Sequence, residues 1–268
     1  MNPPKQNILY KYRDWTDINH KKLLFLRELY IASPKDFNDP FDCRITQNFG
    51  LLDTEEKIKS YIKRLVEKNR EKLYKDGENI PQYEKRIYEK LKYYNMEEQK
   101  NWEAYTFRKQ DEFYGVVSLS KIWNSVLMWG HYAHHHTGFC VGFYETKLLE
   151  SNNFGTGGPV IYNDKFPNIN PENEMTFETS FIATHTKAKD WEYEEEYRFF
   201  KLFKSNPMST QDRITILDKS CFAEIIIGVN FPNNDIREIS DVAYKLGIPI
   251  YKAKQIPFTF KLIKEKLI

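Results

Sequence analysis

Short runs of β-forming residues alternate with stretches of helical period along this chain. "NILYKYR" reads as a strand, and "DWTDINHKKLLFL" as a helix with an aspartate N-cap. "ELYIAS" reads as a second strand, ending at the proline-punctuated loop "SPKDFNDPFD". From about Asp53 to Gln110 the pattern changes to long Glu/Lys-rich stretches. Ile58, Ile62, Leu65 and Leu73 there fall at amphipathic spacing, which predicts two helices split by "DGENIPQ". Strand character then returns in "YGVVSLS". "NSVLMWGHYAHHH" has a helical pattern with Asn124 or Ser125 as N-cap, and "GFCVGFY" is apolar enough to be buried on both faces. "GTGGPVIYND" reads as a turn and strand, "ENEMTFETSFIATHTKAKD" as a helix, "EEYRFFKLF" and "CFAEIIIGV" as strands. "NNDIREISDVAYKLG" reads as a helix closed by its glycine, and "IPIYKAKQ" and "FTFKLI" as final strands. The sum is an α+β fold: a single domain over residues 1–268 on a mixed, mostly antiparallel sheet, with a helical hairpin inserted at about 53–110.

Composition narrows the class. With 16% aromatic residues the chain has ample material for a core, and with 40 basic against 38 acidic residues it carries no global nucleic-acid signal, leaving only a local basic patch open. Three scattered cysteines without a CxxC pair fit a reducing compartment, and the absence of a long apolar run argues against secretion or membrane spanning. A cytoplasmic protein without a membrane partner is the expectation.

Four groups of residues could carry chemistry. His131 and His135 stand at a spacing zinc accepts, but no glutamate adjoins His131 and three successive histidines cannot share a helix face, so no metal is expected and the histidines read as a helix end. In "DWEYEEEYRFF", a strand from Glu194 onward would put Glu194, Glu196 and Arg198 on one face; the alternative is an edge strand with a charged solvent face. Ser118 and Ser120 share a face of their own strand. In "LYKYR", Lys11 and Arg13 alternate with Tyr10 and Tyr12, and two cations there suit an anionic ligand such as a diphosphate. The GxGxxG, Walker and GxSxG motifs are absent, which leaves kinase, dehydrogenase, ATPase and serine-hydrolase readings unsupported.

These pieces resemble a bacterial family, domain of unknown function 2971, on "LYKYR", "SPKDFNDPFD", "SLS", Met128 to Cys140, Lys187 to Arg198, and Ile226 to Gly228. His131 and His136 fall on its pattern; His134, His135 and the 53–110 segment lie outside. The likeness points to genes near phage-defence and mobile elements. More distantly, a first-strand cation, Ser-x-Ser and Glu-x-Glu in that order resemble ADP-ribosyltransferases. That resemblance implies NAD as substrate. It has Lys11 or Arg13 on the phosphates or ribose, and Ser118 or Ser120 supporting the nicotinamide ribose and the catalytic glutamate. Glu196 would lie on the ribose hydroxyl and the oxocarbenium-like centre, with Glu194 on the acceptor. Trp129 or Tyr132 would stack on nicotinamide, and Arg198 would also bind cofactor. The departures are a lysine where Arg or His is usual and Ser-Leu-Ser for Ser-Thr-Ser. The implied function is an NAD-dependent effector of phage defence or a toxin system, with a protein or nucleic acid as acceptor. Two alternatives stay open. One is a non-enzymatic interaction module using the helical insertion; the other is a Mg²⁺-dependent nuclease built from Asp39, Asp42, Glu194, Glu196 and Lys187.

Overall fold

The most apolar strands lie at the middle of the sheet. In the computed structural model, which describes residues 6–173 and 176–267, Phe139–Tyr144 (β4) has five successive buried residues and Phe222–Ile227 (β10) is buried throughout. They pair antiparallel to each other. Around them run Ile8–Arg13 (β1), Tyr114–Ser120 (β3), Thr156–Pro159 (β5), Glu196–Leu202 (β8), Ile250–Gln255 (β11) and Leu262–Lys266 (β12). The order of the eight-stranded sheet is β12-β11-β10-β4-β1-β3-β8-β5. Only the β10–β11 pair within it is parallel, so the sheet is mixed and mostly antiparallel, as expected of this α+β sequence. Glu28–Tyr30 (β2) with Ile214–Ile216 (β9), and Ile161–Asn163 (β6) with Thr186–Ala188 (β7), form two small ribbons.

The two faces of the sheet carry different loads. One holds Leu9, Val117, Leu119, Phe139, Val141, Phe143, Phe199 and Ile225, packed with Ile239, Val242 and Ala243 of helix Ile236–Leu246 (α8). The other holds Tyr10, Tyr12, Cys140 and Ile226 under Met128 and Trp129 of helix Val126–Tyr132 (α5). Helix Ile18–Phe25 (α1) is capped by Asp17, and Gly247 ends α8 at φ 73°. Glu145–Glu150 (α6) follows β4. No helix among the described residues is long and apolar enough to cross a membrane.

The inserted segment contains three helices, not two: Glu55–Lys75 (α2), Ile80–Lys92 (α3) and Met96–Phe113 (α4). The extra break falls at Asn95, whose side chain accepts from the Glu97 and Glu98 N–H groups and so starts a new helix inside the Glu/Lys pattern. Phe49, Leu52, Ile58, Ile62 and Leu91 give these helices a core of their own. Two other elements are also shorter than expected. Phe177–His185 (α7) stops before Lys187, which lies on β7; Glu174 and Met175 of the expected helix lie outside the described residues. The last strand begins at Leu262, not Phe258.

α5 ends at Tyr132, before the three histidines. His134, His135 and His136 take left-handed φ of 46°, 55° and 68°, forming a tight turn held against the end of β10. There the Gly228 N–H donates to Gly138 O, and the Asn230 N–H to His136 O. A Cβ on Gly228 would stand 2.0 Å from His136 O, whereas one on Gly130, within α5, meets nothing within 4 Å. Gly228→Ala should therefore lower the unfolding free energy by about 3 kcal/mol, and Gly130→Ala should raise it by about 0.5–1 kcal/mol, both read by urea denaturation.

Candidate active site

β1 and β3 touch at a single register pair, Tyr10 with Ser120, and then part. The gap opens a cleft of about 270 Å³. Lys11, Arg13, Ser118, Ser120, Tyr132, Glu194 and Glu196 line it, together with Asp36, Phe37, Asn38 and Asp42 from the proline-rich loop, Met128 and Lys187. The Lys11 and Arg13 side chains leave β1 on the face opposite Tyr10 and Tyr12. Lys11 nevertheless reaches the gap, where its Nζ donates to the Ser118 carbonyl at 2.6 Å. Burial, reinforced by Arg13, lowers the Lys11 pKa well below its ordinary value, against the opposing pull of Glu196 and Glu194.

The two glutamates do not share a strand. Glu194 ends a 3₁₀ turn, Lys189–Glu194, and Glu195 takes a left-handed φ of 42° before β8 begins at Glu196. The kink still brings both carboxylates to one place. Lys187 Nζ lies 2.5 Å from Glu194 Oε2 and 3.1 Å from Glu196 Oε2. The Tyr132 hydroxyl donates to Glu194 Oε1 at 2.6 Å, and Asn38 donates to that hydroxyl at 3.4 Å. Ser120 Oγ donates to the Glu194 carbonyl at 2.6 Å, so this serine fixes the turn on which Glu194 sits.

β8 lies between β3 and β5, so the edge-strand alternative falls. Arg198, expected to bind cofactor, is 1% exposed and stands behind the cleft wall. Its five N–H groups are all taken. Nε donates to Glu196 Oε1 (2.7 Å); Nη2 to Glu196 Oε2 (3.0 Å) and Asp42 Oδ2 (2.6 Å); Nη1 to Thr184 O (2.8 Å) and Cys43 Sγ (3.2 Å). Burial alone would raise the Glu196 pKa, but Arg198 and Lys187 outweigh it and hold the carboxyl well below its ordinary 4.5. At Glu194 burial prevails over Lys187, with Glu196 adding to it, and the pKa is raised. Two adjacent carboxyls thus have opposite protonation tendencies.

Other expected residues lie elsewhere. Trp129 is fully buried, donates to Trp123 O at 2.8 Å and packs edge-on against Tyr12, so it is core and not a stacking platform. His136 stacks on Trp129, and exposed His131 lies beside Tyr193; neither lines the cleft. Asp39 is turned into its own loop, accepting from the Phe41 N–H. Lys187 and Asp42 entered only the nuclease set, yet they are integral to the site. The sequence signal for them was their place in the motifs "SPKDFNDPFD" and Lys187 to Arg198 that carry the family resemblance. Among the described residues no three His, Cys, Asp or Glu side chains gather in a way that could hold a metal ion.

A family model described as "Protein of unknown function (DUF2971)" matches residues 128–199. The match runs from Met128 on α5 to Phe199 on β8. It takes in Tyr132, Lys187, Glu194, Glu196 and Arg198 but not Lys11, Asp42, Ser118 or Ser120. Over roughly a quarter of its length, then, the chain is similar to that family. No curated protein and no solved structure matches it.

Removing Arg198 would leave the buried Glu196 and Asp42 carboxylates with Lys187 as their one shared cation among the described residues. Arg198→Met should destabilise the protein by about 3–5 kcal/mol at pH 7 in urea denaturation. The depressed Glu196 pKa contributes stability that is full above about pH 4.5 and is lost as pH falls towards the folded value. Glu196→Gln should flatten the fall in stability below pH 4.5, measured by denaturation from pH 7 to pH 3.

Proposed function

We propose that the chain is an NAD-consuming transferase of the ADP-ribosyltransferase kind, an effector of phage defence or of a toxin system. One observation carries this reading: the first-strand cations, the Ser-x-Ser pair and both glutamates converge on one cleft although they come from three strands and a turn. At about 270 Å³ the cleft is just below the range of ~300–1,000 Å³ usual for small-molecule sites. It would enclose the nicotinamide ribose and leave the adenosine half outside.

The residues suit glycosyl transfer. Breaking the bond between nicotinamide and ribose sends the electron pair out with neutral nicotinamide and leaves positive charge on the sugar. In this reading Glu196, held ionised by Arg198 and Lys187, stabilises that charge. Glu194, with its raised pKa and its Tyr132 hydrogen bond, is suited to take the proton of the incoming nucleophile. Arg13 is the cation available to the diphosphate, with Lys11 beside it on the Ser118 carbonyl. Trp129 has no part in this scheme, and Tyr132 serves through Glu194.

The interaction-module alternative draws on the separate core of α2–α4 and their solvated faces, laced by pairs such as Lys59 with Glu55. The nuclease alternative gains Asp42, Glu194, Glu196 and Lys187 in one cluster, but Arg198 and Lys187 take both oxygens of Glu196 and one each of Asp42 and Glu194.

Incubating the protein with labelled NAD and separate protein, RNA and DNA acceptors tests the proposal. Nicotinamide release with label transfer is expected, reduced about 10²–10⁴-fold in Glu194→Gln, whose folding is checked by its thermal midpoint. Absence of turnover with all three acceptors would sink the transferase reading.

A further inference from the structure

The β11–β12 hairpin ends in two phenylalanines that pack on nothing among the described residues. Phe258 is 105% exposed and Phe260 94%. Phe258 also sits at φ 61°, in a turn closed by the Thr259 N–H on Ile256 O at 3.1 Å, with Pro257 before it. That third turn position normally takes glycine or asparagine. A bulky side chain held there in a left-handed conformation, with no packing in return among the described residues, adds nothing to the fold and is open to a partner outside the chain.

The surroundings are basic. From Ile250 to Lys266 there are five lysines against Glu265 alone. Lys264 is taken by buried Glu224, and exposed Lys254 pairs with Glu265. Lys252, Lys261 and Lys266 have no ion-pair partner among the described residues. Lys252 and Lys261 lie on one face of the hairpin and are separated along it by about 14 Å at the usual strand rise. Cations distributed along a line follow a polyanion better than they meet a plane of lipid headgroups, which would want them at one level beside the aromatics.

The hairpin projects from the end of the sheet at which the cleft opens. Arg13 is level with Phe139, Phe139 with Ile227, and Ile227 with Lys252, and β1 and β11 run in the same direction. Lys252 is thus three strands across from Arg13, about 14 Å away, and the tip extends about 10 Å further.

We infer that the β11–β12 hairpin is a docking site for single-stranded nucleic acid, with bases stacked on Phe258 and Phe260 and phosphates held by Lys252 and Lys261. Exposed aromatics beside a basic track are what a single strand requires, because every base offers a π-face and every linkage a charge. The surface does not depend on the transferase reading. If that reading holds, the bound strand is carried towards the Arg13 side of the cleft.

Fluorescence anisotropy with labelled 20-mers of oligo-dT and oligo-rU tests this on the full chain. Wild type should bind at least one of them, more weakly as salt rises. Phe258→Ser/Phe260→Ser should weaken binding at least tenfold with the thermal midpoint unchanged or higher, since neither ring is packed. Lys252→Glu/Lys261→Glu should weaken it similarly and reduce the salt dependence. The two oligomers distinguish DNA from RNA. No binding of either, or undiminished binding by the Phe double variant, overturns the inference. So does binding to phosphatidylglycerol vesicles in place of the oligomers.

Discussion

The site depends on one guanidinium. Arg198 rises from a buried strand and satisfies all five of its N–H groups on Glu196, Asp42, Cys43 and the Thr184 carbonyl. Those partners come from the proline-rich loop, the end of α7 and β8 itself, so a single cation fastens three separate parts of the chain to the back of the cleft. An ion so deeply buried is tolerable only with such complete pairing. The same requirement explains why Glu196 stays ionised and why Lys187 is drawn in to share its charge.

Once Arg198 has taken Glu196, the neighbouring glutamate is left with a different environment. Glu194 has Lys187 and the Tyr132 hydroxyl, but burial prevails. The left-handed Glu195 is the backbone device that makes this asymmetry, because it ends the strand between the two carboxyls and turns Glu194 back towards α5. Ser120 then secures the turn through the Glu194 carbonyl. The cleft owes its existence to a different constraint: β1 pairs fully with β4 but meets β3 at one position only, so the sheet splits beside the charge cluster.

Much of this was legible in the chain itself. The apolar runs of β4 and β10, the N-caps at Asp17 and Ser125, and the glycine ending α8 are local signals with local causes, and the α+β class follows from them. Lys11, Arg13, Ser118, Ser120, Tyr132, Glu194 and Glu196, read from the sequence as catalytic or cofactor-binding candidates, all line the cleft. Trp129 and Arg198 were identified as notable but given the wrong surroundings. A tryptophan beside a polar motif reads the same whether it faces a ligand or the core, and an arginine on an alternating strand reads the same whether the strand is at an edge or in the interior.

What the sequence by itself determined is therefore the inventory: which strands are apolar enough to be central, where helices start, and which polar residues sit at strand ends. Only the tertiary structure decided who pairs with whom. Lys187 lies beside Glu194 because β7 leaves α7 early, Asp42 reaches Arg198 across 156 positions of chain, and β8 is interior because β5 covers it. Periodicity reports which way a side chain points from its own backbone. Charge pairing and burial depend on what the rest of the chain brings to the other side, and no local pattern contains that.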